Sequence, residues 1–245
     1  GFTLALDDKG GVYAWGGSRS GQLGNTAYAA SVGTGIDEQY NITTPVRVVN
    51  GTAAGPNTAG DTYNYLSHVV DIDATQYTAV ALRANGTVFA WGYSADGQTG
   101  DGYNQAYVQA PTQVRGGAST GKSNTFTSVG NNYATQEFLY RAVDAAVGGD
   151  HIAILTDGYD GAGRNYSVYS AGANASGQLA QAPAALAASN VPVLSVDAVT
   201  LNANASSTGH ERPVQVAAGL SHSAFRTVDM NDRVNFDNSA WRGYV

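Results

Sequence analysis

Three times along its 245 residues the chain runs through a short apolar segment ending in glycine and then, at a fixed interval, a Gly-Gln turn. Gly11-Val12-Tyr13-Ala14-Trp15-Gly16 leads to Gly21-Gln22-Leu23-Gly24, and Thr87-Val88-Phe89-Ala90-Trp91-Gly92 leads to Gly97-Gln98-Thr99-Gly100. The third copy, Ser167-Val168-Tyr169-Ser170-Ala171-Gly172, leads to Gly177-Gln178-Leu179-Ala180. A second motif precedes each copy: Phe2-Thr3-Leu4-Ala5-Leu6, Thr78-Ala79-Val80-Ala81-Leu82 and His151-Ile152-Ala153-Ile154-Leu155, with His222-Ser223-Ala224-Phe225 as a fourth. A unit of this kind cannot bury its apolar face alone, so like units must stack on one another.

Alternation of apolar residues such as Leu4, Leu6, Val12 and Ala14 predicts paired strands covered by neighbouring sheets. Asp8-Lys9-Gly10-Gly11 and Ala84-Asn85-Gly86-Thr87 supply the positive-φ residues of a hairpin turn. Two further strands per unit are expected. One is Thr44 to Val48, echoed at Ala110 to Val114 and Val191 to Leu194; the other is Val69 to Ile72, echoed at Val143 to Ala146 and Val214 to Ala217. The fourth unit fades after Phe225, and Arg233 to Phe236 is the expected partner strand there. An insertion around Gly158 to Asn165 lengthens the third hairpin turn. Four strands per unit make one propeller blade.

These residues, ALDDKGGVYAWGGSRSGQLGN and ALRANGTVFAWGYSADGQTGDG, resemble the repeats of the RCC1 (regulator of chromosome condensation) family of β-propellers. The resemblance implies an all-β propeller of four-stranded blades, here about three and a third units spanning the chain, with approximate repeats 1–68, 69–141, 142–212 and a partial 213–245. Units of about 75 residues exceed the family's usual length, and the additions fall at Asn25 to Asn41, Asn50 to Tyr65, Gly116 to Glu137 and Gln181 to Arg212. A partial propeller leaves edges that proteins avoid exposing, so we expect completion by further repeats or by another chain.

The repeated positions read as structural: Trp15, Gly16, Gly21, Gln22, Gly24, Trp91, Gly92, Gly97, Gln98, Gly100, His151, Gly172, Gly177, Gln178 and His222. The tryptophans are expected in the core, the glycines where φ is positive or backbones meet. His151 and His222 take a position held by Phe2 and Thr78 in other units, so no shared catalytic use follows. No catalytic residue, cofactor or metal is expected. The acidic stretches at Asp157 and Asp160, and at Asp229, Asn231 and Asp232, lack calcium-loop spacing. Glu38, Glu137 and Glu211 fall in separate insertions and offer no carboxylate pair for glycoside hydrolysis. Asn41, Asn50, Asn85, Asn165, Asn174 and Asn204 head Asn-x-Ser/Thr triplets and would accept glycans in a glycosylating host.

A formal net charge of −7 disfavours nucleic acid and anionic membranes. No stretch reaches the roughly 20 apolar residues a membrane span needs. With no cysteine, disulfides and thiolate metal sites are excluded. The scarcity of lysine beside abundant Ala, Gly, Asn, Thr and Tyr is that of an exported, extracellular or surface protein. The expected function is a binding or structural module whose insertion loops meet a protein or glycan partner. The alternatives are a self-assembling surface or filament component and the family's guanine nucleotide exchange with chromatin binding, which would need a complete propeller and a basic surface.

Overall fold

A computed structural model describes residues 1–31, 41–51, 64–103, 105–116, 127–128, 131–132, 138–159, 164–197, 211–229 and 242–244. The strands are β1 (Phe2–Leu6), β2 (Val12–Gly17), β3 (Asn41–Arg47), β4 (Val69–Ala74), β5 (Thr78–Arg83), β6 (Val88–Tyr93), β7 (Tyr107–Gln113), β8 (Thr127–Ser128), β9 (Asn131–Asn132), β10 (Ala142–Val147), β11 (His151–Tyr159), β12 (Arg164–Ala173), β13 (Ala188–Asp197), β14 (Glu211–Ala218), β15 (Ser223–Asp229) and β16 (Arg242–Tyr244). A single 3-10 helix, Thr26–Ser31, is the only helix among the described residues. Four antiparallel sheets follow in chain order: β1-β2-β3, β4-β5-β6-β7, β10-β11-β12-β13 and β14-β15-β16, with β8-β9 as a separate small ribbon. We call the four sheets blades one to four.

Blades one and two each have a hairpin turn closed by a side chain. Asp7 Oδ1 accepts the backbone N–H groups of Lys9 and Gly11, and Asn85 Oδ1 accepts that of Thr87 and its hydroxyl. The glycine of each turn, Gly10 or Gly86, has φ of 78°, a conformation L side chains resist. The N–H of Gly11 holds the Asp7 carboxyl below the usual carboxylate range.

The blades pack face to face. One apolar cluster, with Leu23, Val48, Phe89 and Trp91, lies between blades one and two; another, with Val88, Leu139, Ile152 and Ile154, lies between two and three; a smaller one, with Leu155, Val168 and Val216, lies between three and four. Every residue of β5 is buried, whereas β1 is mostly half-buried, because blade one is covered on one face only among the described residues. The carbonyls of the hairpin glycines also reach forward: Gly10 accepts the N–H of Val69 at 3.2 Å and Gly86 that of Ala142 at 3.0 Å.

The insertion at Gly158 to Asn165 lengthens the third hairpin: β11 and β12 continue pairing into it, with Asp157 opposite Tyr166, Gly158 opposite Asn165 and Tyr159 opposite Arg164. In blade four the partner of β15 is Arg242–Tyr244, with Phe225 opposite Tyr244; the expected Arg233 to Phe236 lies outside the described residues.

Candidate functional site

The repeated residues meet at the seams between blades. Gly16, Gly92 and Gly172 have φ of 106°, 106° and 118° and sit where the ladder to the last strand of each of the first three blades shifts register. They form bulges, and a methyl group at Gly92 would run into the Tyr77 carbonyl. Gly21, Gly97 and Gly177 open the following turn at φ of 79°, 80° and 82°. The glutamine next in each turn is buried and folds back on it: Gln22 Oε1 accepts the N–H of Ser20, Gln98 that of Asp96 and Gln178 that of Ser176, at 2.7, 3.0 and 2.9 Å. The turn is thus closed by its own side chain.

The first two closed turns then rest on the backbone of the next blade. A Cβ at Gly21 would stand 2.9 Å from Gln109 Cα on β7, and one at Gly97 would stand 2.5 Å from Asn190 Cα on β13. Gly24 lies against the Trp91 indole, whose Nε1 donates to the Gln22 carbonyl at 2.9 Å. Gly102 N donates to the Asn190 carbonyl, and Asn190 Nδ2 donates back to that of Gly102. Gly100 faces Val114, Ala171 and Ile152. Trp91 is fully buried, while Trp15 at the same repeat position is half-buried on the free face of blade one.

His151 is fully buried at the third seam; Nε2 is 2.9 Å from Ser223 Oγ. Asp150 Oδ1 is 3.5 Å from His151 Nδ1, so Ser223, His151 and Asp150 stand in the order of a hydrolytic triad. Three observations oppose that use. The Ser223 hydroxyl also donates to the Gln178 carbonyl at 2.9 Å; Nδ1 has no hydrogen-bond partner; and Asp150 accepts Gln178 Nε2. Burial pulls the His151 pKa below its ordinary value, outweighing the attraction of Asp150. The neutral ring ties blade three to blade four. His222 is exposed and differs from His151 in this respect. Gly148 and Gly219 precede the two histidines by three residues, and a Cβ on either would strike the imidazole.

Two acids missed by sequence reading also join blades. Asp73 Oδ2 accepts the N–H of Val147 at 2.9 Å and Asp144 Oδ2 that of Val216 at 2.8 Å. Both lie on first strands, where only a three-dimensional neighbour reveals the partner. Asp71 beside them has its pKa raised by burial and by the charges of Asp144 and Asp73. Among the described residues no group of three His, Asp or Glu is placed to hold a metal. Asp157 pairs with Arg141 at 3.2 Å; Asp160, Asn231 and Asp232 lie outside the described residues.

The family model for the regulator of chromosome condensation (RCC1) repeat matches residues 69–98, the stretch from the start of β4 through the Gly-Gln turn of blade two. Blade two thus carries an RCC1-type repeat. The RCC1-like fold extends well beyond that match. The crystal structure of human WBSCR16 superposes with a TM-score of 0.57 over 92% of this chain at 25% identity. Prp20p from Saccharomyces cerevisiae gives 0.58 over 94% at 16% identity, and yeast RCC1 (Prp20) in its structure with Kap60 gives 0.52 over 94% at 20%. The chain spans 43%, 42% and 40% of those three chains, so the fold shared is that of a partial RCC1-like propeller.

The third RCC1-type seam is less filled than the others. Nothing lies within 4 Å of a Cβ built at Gly177. A cleft of about 340 Å³ opens beside it, lined by Gln178, Ser195, His222, Ser223 and Phe225 among others. Asn174, one of the expected glycan acceptors, is fully buried, with Nδ2 donating to the carbonyls of Gln181 and Leu186, and cannot take a glycan in this fold. Asn50 accepts Arg83 Nη2 and Asn85 closes its hairpin turn. The triplet pattern carries no information about side-chain burial, which is why it overcounted.

Proposed function

We propose that this chain is a protein-binding propeller module and that it performs no chemistry of its own. The observation that carries the reading is how the repeated side chains are used. Trp91, the three turn glutamines, His151 and Ser223 are spent on seams, and the one triad-like cluster has its serine hydroxyl held by a backbone carbonyl. A hydrolase needs a nucleophile, base and oxyanion donors converging on an open position, and fold alone supplies none. Support for a protein partner comes from the solved structures: one concerns the binding of Prp20p to Gsp1p and histones, and another is Kap60 bound to yeast RCC1.

An extracellular or surface setting belongs to the same proposal and rests on composition. So does the use of the insertion loops, most of which lie outside the described residues, with a protein or glycan as the contact. Self-assembly is separated from this reading by light scattering, where a binding module stays monodisperse. The deciding test is a panel of ester, peptide and glycoside substrates with Ser223→Ala alongside, together with sedimentation of the chain with protein fractions from its source. A defined complex with no turnover is the expected result. Turnover that disappears in Ser223→Ala would sink the proposal.

A further inference from the structure

One exposed feature is not explained by the repeat. At one end of blade two, Tyr77, Tyr93 and Tyr107 form a row, with ring centroids 6.5 and 5.9 Å apart and tilts of 57° and 63°. Tyr77 is 42% exposed and Tyr107 37%. The equivalent positions are Gly1, Gly17 and Asn41 in blade one and Asp150, Ala173 and Ala188 in blade three, placed by the same register pairs. Those blades fold without an aromatic there. The cross-strand pair of Tyr93 with Tyr107 accounts for some sheet stability, but Tyr77 adds a third ring from a separate turn.

Elsewhere the chain covers its aromatic faces with its own arginines. Arg47 lies over Tyr13 and Tyr65, Arg83 over Phe89, Arg115 over Tyr103 and Phe138, and Arg212 over Tyr166. Among the described residues no cation covers Tyr77, Tyr93 or Tyr107. The reason is a charge asymmetry along the strands. Lys9, Arg47, Arg83, Arg141 and Arg212 fall near the hairpin-turn end, whereas in blades two and three the segments 74–78, 93–98, 147–151 and 173–188 at the other end contain no Lys or Arg; in blade one that end carries Arg19, in the turn after β2. In blades two and three it carries acids instead, with Asp96 exposed in the turn after Tyr93 and Asp150 at the position equivalent to Tyr77.

We infer that the row of Tyr77, Tyr93 and Tyr107, with Asp96 at its edge, docks an arginine-bearing extended segment of a protein partner. This deepens the protein-binding reading and rests on it. A planar guanidinium lies flat on an aromatic face while its edge donates to a carboxylate or phenol oxygen. The net charge of −7 draws such a segment in. A neutral sugar would use the rings but gains nothing from the absence of cations around them.

The test is a titration of the whole chain, at low ionic strength, with a labelled Gly-Ser-Arg repeat peptide and its citrulline counterpart, which keeps the shape and loses the charge. The arginine peptide binds, and citrulline weakens it by about tenfold or more. Replacing Tyr77 and Tyr107 by Leu keeps apolar bulk and weakens binding by roughly four- to ninefold, at about two- to threefold per ring, with only the small drop in unfolding midpoint that loss of the Tyr93–Tyr107 pair brings. Tyr103→Leu, a ring already covered by Arg115, leaves affinity alone. Asp96→Asn, at an exposed turn, gives a milder loss and serves should the double variant unfold. Equal binding of the citrulline peptide, wild-type affinity in both the double variant and Asp96→Asn, or displacement of the peptide by a neutral oligosaccharide that binds the row would each overturn the inference. None of these outcomes touches the substrate panel and sedimentation that decide whether the chain binds proteins at all.

Discussion

The seams between the first three blades and the seam between the third and fourth are made to different rules. In the first two, the Gly-Gln turn is pressed onto the backbone of the next blade, at Gln109 or Asn190, and the hairpin glycine carbonyl takes the N–H of Val69 or Ala142. At the third, a Cβ at Gly177 would meet nothing within 4 Å, and Pro213 stands at the register position of Val69 and Ala142, where it has no N–H to give. The hairpin of blade three is longer, and Arg212 lies over the Tyr166 ring. Beside the small apolar cluster of Leu155, Val168 and Val216 the contacts are polar: His151 to Ser223, Ser223 to the Gln178 carbonyl and Asp144 to Val216. One architecture therefore tolerates an apolar, backbone-tight joint and a looser hydrogen-bonded one.

The sharpest way to break this contrast is at the tryptophans. Trp91→Ala empties a fully buried site and removes the bond to Gln22, so it should cost about 3–5 kcal/mol in denaturant unfolding. Trp15→Ala, at the same repeat position but half-buried, should cost about 1 kcal/mol. Equal losses would mean that the free face of blade one is covered in solution. A second pair isolates the turns. Gly97→Ala meets both the positive φ and the Asn190 backbone and should cost about 2–3 kcal/mol; Gly177→Ala meets only the φ and should cost about 1 kcal/mol. If the two were alike, the third seam would be as closed as the second.

The inner clasps come next. Asp73→Ala leaves the Val147 N–H unpaired and should lose about 1–2 kcal/mol, with Asp144→Ala similar at the third seam. Smallest is a gain. Ala180 holds a φ of 54° where the first two turns have Gly24 and Gly100, so Ala180→Gly should stabilise by about 0.5–1 kcal/mol, read as a raised denaturation midpoint.

Acid probes the same contrast with a sign that can be worked out. The pKa of His151 is lowered in the fold, so the unfolded chain takes a proton first as pH falls through about 6.5. Stability is present above that value and declines below it, and His151→Gln should flatten this limb. Asp71 acts in the opposite direction. Its raised pKa means that the native state binds protons first near pH 4, and protonation there relieves the repulsion from Asp73 and Asp144. The two windows are far enough apart to be read separately from unfolding midpoints across the pH range.

The turn and bulge positions were legible in the sequence because backbone geometry leaves few residues to choose from: a positive φ asks for Gly at 16, 92 and 172, and a self-closing turn asks for Gln at 22, 98 and 178. The four-stranded blade followed from counting the echoes. Asp73, Asp144 and Ser223 were not legible as seam residues, since each meets a partner more than 70 positions away in sequence. The tyrosine row escaped for the reverse reason. A search for periodic signals passes over residues that occur in one unit alone, and those are the residues the fold does not need.

The docking of Gly21 and Gly97 onto main chain has a consequence for how such a molecule can change over time. A joint made largely of backbone against backbone, with its turns shaped beforehand by their own glutamines, consults few of the side chains across it, Trp91 and Asn190 among them. Substitutions can accumulate on either surface without mismatching the halves, and loops of any length can be spliced in beyond the turn. Identity of only 16–25% to structures of the same fold is compatible with such tolerance.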